Sequence, residues 1–220
     1  MKYSWAKALV LGGMVASCSA ATVIAQHGTA RPTIGAPYGW LITMNGADTA
    51  TDVRHVGAWS WEDNALFSDG DPTVGWTHTS DWVKLSLFNT SSFTIRLQRE
   101  ANVAGASADS LSMFPSFTIW SGWDEDGTQG HTYNNTNNAG PVWAEDLTYI
   151  DHFDNSTATF IERTYSLGTG NYTLALGSNA PATDPARQGY RFTMTTVPEP
   201  SAAILSSLAA LLFLSRRNRG

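Results

Sequence analysis

Beyond His27 the sequence holds four histidines: His55 in RHVGAWSW, His78 in GWTHTSDW, His131 in GTQGHTYNN and His152 in YIDHFDN. Each stands close in sequence to an aromatic residue, and the last three lie among hydroxyls or carboxylates. Taken singly, each is accounted for by a hydrogen-bonded structural imidazole. Taken in pairs they offer more. A soft or borderline cation outside the cytoplasm needs neutral imidazole nitrogen where no thiolate is present, and the only cysteine, Cys18, lies close to the amino terminus. Carboxylates form a second constellation. Asp124-Glu125-Asp126-Gly127 sets oxygens at alternate positions before a glycine, with Glu145, Asp146, Asp151 and Asp154 further along. Oxygen donors suit calcium, which makes Asp124, Asp126, Glu145 and Asp146 the candidate ligands for it. The twelve-residue pattern of a helical calcium hand is missing, and solvated loop acids account for the same residues equally well.

These side chains need a scaffold, and the two ends of the chain say where it works. Lys2 and Lys7, the apolar run from Ala8 to Ala16 and the small residues after it read as a secretory signal over residues 1–25, handled by the Sec export machinery;. Cleavage is expected after Ala25, with a site near Ala20 or Ala21 as the alternative. Val15-Ala16-Ser17-Cys18 also fits a lipoprotein box, in which Cys18 would carry a lipid. Residues 197–220 contain Pro198-Glu199-Pro200, an apolar stretch from Ser201 to Leu214, then Arg216, Arg217 and Arg219. As a helix that stretch spans roughly 21 Å, against roughly 30 Å of bilayer hydrocarbon. The arrangement resembles the PEP-CTERM sorting tail of Gram-negative bacteria. The resemblance implies removal by the membrane peptidase exosortase, membrane contact only through the tail before processing, and delivery to the cell surface or extracellular matrix.

Between the ends lies one domain, residues 26–196. Setting aside the five basic residues of the two ends, and Glu199, leaves eight of 13 basic and eighteen of 19 acidic residues, a net charge near −10. A surface of that sign excludes nucleic acid as a partner, because phosphate binding needs a basic patch. With no cysteine, the domain holds together by burial. Apolar and polar residues alternate through Val83, Leu85 and Leu87, through Phe93, Ile95 and Leu97, and through Tyr172, Leu174 and Leu176;. Two hairpins are predicted, one across Asn89 to Ser92 and one across Gly168 to Asn171, with Tyr190, Phe192 and Met194 on a closing strand and a short linker just before Pro198. Eight or so strands with no helical period predict an all-β fold. It is expected to be an antiparallel β-sandwich of jelly-roll type with long loops, flanked by a signal helix and a carboxyl-terminal hydrophobic helix. Residues 121–146 form the longest segment without a strand pattern. A loop of that length is functional or disordered, and its tryptophans argue against disorder.

There is no His-Glu-x-x-His, no Gly-x-Ser-x-Gly and no phosphate-binding glycine loop, so no enzyme is expected;. The segments HVGAWSWEDN, GWTHTSDWV, PSFTIWSGWDEDG, HTYNN, WAEDLTYIDH and RQGYRF, spread over about residues 53–194, resemble the exported copper-binding surface proteins of methane-oxidising bacteria. That group holds Cu(I) with two histidines beside a tryptophan that can be oxidised to kynurenine. The resemblance implies that Trp76-Thr77-His78 supplies the oxidisable indole, Trp76, and one ligand, His78. It implies His131 as the second ligand, with His152 as the fallback. The sorting tail is a departure from the group. Two functions are therefore expected: an exported envelope or matrix protein binding copper, with calcium under the acidic loop, or a structural matrix protein without metal. The latter would bind polysaccharide by stacking Trp120, Trp123 and Trp143 on sugar rings.

Overall fold

The computed structural model describes residues 21–25, 35–58, 60–61, 74–89, 91–107, 113–126, 132–135, 144–154, 158–179 and 187–198. Both expected terminal helices lie outside these residues, apart from the last residues of the signal, and no helix occurs among the described residues. The twelve strands are β1 (Thr22–Ala25), β2 (Tyr38–Met44), β3 (Asp48–Gly57), β4 (Val74–Trp76), β5 (Asp81–Leu87), β6 (Ser91–Arg99), β7 (Pro115–Ser121), β8 (Thr132–Asn134), β9 (Thr148–Asp154), β10 (Phe160–Leu167), β11 (Gly170–Ser178) and β12 (Arg187–Pro198). They form a six-stranded sheet in the order β1-β2-β5-β11-β7-β9, a four-stranded sheet β10-β6-β12-β3, and a two-stranded ribbon β4-β8.

The two large sheets face each other across one core. Trp40, Ile42, Val83, Leu85, Phe117, Ile119, Leu174 and Leu176 come from the six-stranded sheet, and Phe93, Ile95, Leu97, Tyr190, Phe192 and Met194 from the other. Strand β6 shows the alternation that builds this arrangement: Phe93, Ile95 and Leu97 are buried while Thr94, Arg96 and Gln98 point outward and remain partly exposed. One polar network crosses the core. Tyr190 donates its hydroxyl hydrogen to Asp81 Oδ2 at 2.6 Å and accepts from Trp40 Nε1 at 3.0 Å, and Arg54 pairs with Asp81 at 2.9 Å. Burial first, and then the charge of Asp81, holds the Tyr190 phenol well above its ordinary pKa, so it stays a hydrogen-bond donor;.

Four expectations need correction. Neither predicted hairpin forms, because β5 and β6 lie in different sheets, as do β10 and β11. Alternation reports that one face is buried; it does not say which strand supplies the hydrogen bonds, and two faces turned toward one core satisfy it equally well. The six-stranded sheet is mixed, since β2 runs parallel to β5. The chain reaches that pairing by crossing to the other sheet through β3 before it returns. Residues 195–197, expected as a linker, continue β12 in register with β6, where Thr196 is buried and accepts from the Asp48 N–H. The six-stranded sheet also has a fuller outer face than an exposed sheet would. Strands β7 and β11 are buried on both sides, because a second cluster of Ala36, Trp82, Trp120, Tyr133, Ala144, Leu147 and Ala175 covers them.

Candidate metal site and its cap

The long 121–146 segment contributes Tyr133 and Ala144 to that covering layer. Tyr133, in its middle, is fully buried. Its ring meets Trp82 edge-on at 5.1 Å and Trp120 at 6.0 Å, and those two indoles stack at 5.6 Å with 9° between planes. Aromatic packing of this kind stabilises beyond its buried area. The expectation that Trp120 stacks on sugar is therefore wrong: it is 0% exposed, taken up by Trp82 and Tyr133. Trp123 is half-buried, donates to the carbonyls of Leu85 and Tyr172, and carries Lys84 Nζ 4.1 Å above its ring. Trp143 lies outside the described residues.

Tyr133 also fixes the ribbon. It stands opposite Gly75, where an added Cβ would come within 2.4 Å of the Tyr133 ring, so only glycine lets β4 lie over it. The pairing then sets Trp76 opposite Thr132. Both Trp76 N–H and the Tyr133 hydroxyl donate to the Ser60 carbonyl, at 3.2 Å each. After Trp76 the chain makes a tight turn. The Trp76 carbonyl accepts from the N–H of Ser80 at 3.1 Å and from its hydroxyl at 2.7 Å, and the Trp82 indole donates to that hydroxyl at 3.0 Å. Gly57 N–H donates to the Thr79 carbonyl at 2.7 Å, which ties the turn to the end of β3. Thr77 is buried within the turn, Trp76 is half-buried, and His78 is exposed. An exposed imidazole on a turn so firmly held contributes little to the core;.

The other predicted ligands are dispersed differently. His131 lies outside the described residues, although Thr132, the next residue, is opposite Trp76. His152 is on β9 opposite Thr118. Its Nδ1 is 2.6 Å from the Tyr149 hydroxyl, and the indole beside its ring, at 5.7 Å, is Trp61. Trp61 in turn donates to Thr118 Oγ1 at 3.0 Å. His152 thus belongs to a niche of its own on the outer face.

His55, which sequence reasoning did not rank among the ligands, sits half-buried on β3 two residues before Gly57, with Nε2 against Gly105. Burial, then the positive Arg187 and Arg54, lower its pKa below the ordinary histidine value. A folded-state pKa below the unfolded one means that the unfolded chain binds the proton more readily. Stability should therefore fall as pH drops from above the ordinary value of about 6.5 through the lowered one. Urea midpoints measured across that window should fall in the wild type and change less in His55→Gln; equal slopes would reject the assignment.

Asp124, Asp126 and Asp146 converge, each offering a carboxylate oxygen within 4.8 Å of the others, with Asp124 buried and the other two exposed. Glu145 is not in that group. Backbone geometry brings them together: Gly122 has φ +98°, and an added Cβ there would be 2.1 Å from the Asp146 carbonyl oxygen. Tyr38 accepts from the Asp124 N–H at 3.0 Å and is hydrogen-bonded to the Thr173 hydroxyl at 2.8 Å; that hydroxyl donates to the Gly122 carbonyl at 2.8 Å. Burial above all pushes the Tyr38 phenol up to about 12. Lys84 pairs with Glu125 beside this loop. Three carboxylates fall short of the six to eight oxygens that a calcium ion takes.

Among the described residues the chain is thus a two-sheet all-β fold with an aromatic cap and a Trp-x-His turn at one end. No family model matches it, and no curated protein does. Among solved structures it is similar to CorA of Methylomicrobium album BG8, a surface-associated copper-binding protein important in copper acquisition. That match has 18% identity and a TM-score of 0.48, covering 66% of this chain and 92% of that one. It is also similar to MopE of Methylococcus capsulatus, a secreted protein in which an oxidized tryptophan facilitates copper binding. There the identity is 15% and the TM-score 0.40, with 68% of this chain and 84% of that one covered. Both likenesses are distant.

Proposed function

We propose that the protein is exported, sorted through its carboxyl-terminal tail to the cell surface or matrix, and binds copper at the end of the sandwich where Trp76 and His78 lie. The observation that carries this reading is the β4-β8 pairing, which sets Trp76 opposite the residue that follows His131. Two histidine segments, 53 residues apart in sequence, are in this way drawn toward one indole. Cu(I) is satisfied by few nitrogen ligands, and a domain without cysteine has imidazole as its strongest soft-to-borderline donor;. His78 and His131 are the ligands in this reading, and Trp76 is the oxidisable indole. His152 becomes a weaker choice, since its ring is engaged by Tyr149 and Trp61. Calcium gains only the approach of three carboxylates and is not part of the proposal. Enzymatic activity is not proposed either. The metal-free alternative, a polysaccharide-binding matrix protein, is weakened by the burial of Trp120.

The test is metal content of the purified exported protein, read together with its intact mass. His78→Ala should lose bound copper while the melting temperature stays within a few degrees of wild type, because an exposed turn residue adds little to the core. Copper retained at wild-type stoichiometry would reject the assignment. The mass also reports processing. Thr22–Ala25 pairs with β2, and Val23 packs against the core, which favours cleavage near Ala20 or Ala21 over cleavage after Ala25. A mature chain that begins at Gln26, or one that retains residues 201–220, would contradict the respective step.

A further inference from the structure

The strand registers put both approaches to the membrane at one end of the sandwich. Thr22, where β1 begins, pairs with Thr43. Met44 pairs with Leu87, Leu87 with Gly170, and Ser91 with both Leu167 and Pro198, the last residue of β12. The turns β2-β3, β5-β6 and β10-β11 therefore share this end with the start of β1 and the finish of β12. Residues 43–47, 88–92, 167–171 and 196–198 contain no Asp, Glu, Lys or Arg. Two of the four large hydrophobic side chains exposed among the described residues stand here, Phe88 at 59% and Val197 at 57%. At the opposite end β12 starts at Arg187, paired with Gly57, whose N–H holds the turn that carries His78. The 12 residues of β12 separate the two ends by roughly 36 Å;.

Only Glu199 and Pro200 stand between Pro198 and the apolar stretch that begins at Ser201, so the two are at most roughly 11 Å apart;. While that stretch is in a bilayer, the sandwich is held close to its surface, and the end from which the tail leaves must face it. An uncharged surface loses little on entering the headgroup layer, where phenylalanine is favoured. The acidic loop flanks the same end, with the Gly122 N–H donating to the Asn171 carbonyl, and its charge disfavours anionic lipid. We propose that this end is a membrane-facing surface: Phe88 and Val197 enter the headgroup layer of a zwitterionic bilayer while the tail is inserted, and the Trp76-His78 turn points outward. The proposal rests on the reading of residues 201–214 as membrane-inserted, and is independent of copper.

The signal-processed chain, residues 22–220, which has no cysteine of its own, is given single cysteines by Phe88→Cys, Thr169→Cys or Ala101→Cys, labelled with a polarity-sensitive fluorophore and reconstituted with phosphatidylcholine vesicles. Flotation tests insertion and should be lost in Leu208→Arg; failure to float, or flotation that survives Leu208→Arg, rejects the tail reading and this proposal with it. In floating protein, emission should shift to the blue at positions 88 and 169 and stay at its aqueous wavelength at 101, on the opposite end after β6. Equal emission at all three positions, or a blue shift at 101, overturns the orientation and leaves the tail reading standing. Thr169 is exposed and outside the core, so it decides the question should Phe88→Cys disturb folding.

Discussion

Tyr133→Ala is expected to release the cap from the six-stranded sheet and abolish copper binding, while the two-sheet core stays folded. Truncating a buried aromatic costs about 3–5 kcal/mol. Here the loss falls on one small cluster, where the ring is wedged against Trp82, Trp120 and Gly75. The main core contains none of those contacts. A cluster of that size is a local unfolding unit, so the loss should appear as opening of residues 122–147 before global unfolding. Limited proteolysis should cut within that segment, and the circular dichroism of the stacked Trp82-Trp120 pair should disappear. Tyr133→Phe removes only the hydroxyl that donates to the Ser60 carbonyl, and should cost about 1 kcal/mol and keep the metal;. Copper retained by Tyr133→Ala with an opened cap would show that the β4-β8 ribbon does not organise the metal site.

Asp81→Ala acts on the other half of the molecule and should lower global stability by about 3–5 kcal/mol, the usual cost of removing one partner from a buried pair. Asp81 is 5% exposed and receives both the Arg54 guanidinium and the Tyr190 hydroxyl. Without it a charge and a phenol are left in the interior with no acceptor in place. The four residues of this network join the sheets two to two: Trp40 and Asp81 from one, Arg54 and Tyr190 from the other. Tyr190→Phe, which leaves the ion pair intact, should lose only about 1–2 kcal/mol. Urea unfolding separates the two through the midpoint at a constant slope. A loss below about 1 kcal/mol for Asp81→Ala would mean that water reaches Arg54 easily enough to replace the carboxylate.

The sequence by itself determined the class of fold and the inward faces. Alternation at Phe93, Ile95 and Leu97, or at Tyr190, Phe192 and Met194, reflects the period of two in the strand backbone, and those six residues are all fully buried;. It also picked out the Trp76-Thr77-His78 turn and the Asp124 loop as places with chemistry to offer. What it left open was partnership. Backbone hydrogen bonds are the same for every residue type, so nothing in residues 83–97 distinguishes a hairpin from an arch between sheets, and the arch is what forms. Trp120 looked like a surface aromatic, and Tyr133 was given no role in its long loop, because their partner, Trp82, is distant in sequence. Only the folded chain brings the three rings together, and with them lays β4 along β8 and Trp76 across from Thr132. The histidines and acids were legible one at a time because their chemistry is a property of the side chain. Whether they converge is a property of the register: the positive φ of Gly122 accompanies the approach of the three acids, and the burial of Tyr133 against Gly75 fixes the pairing of the ribbon.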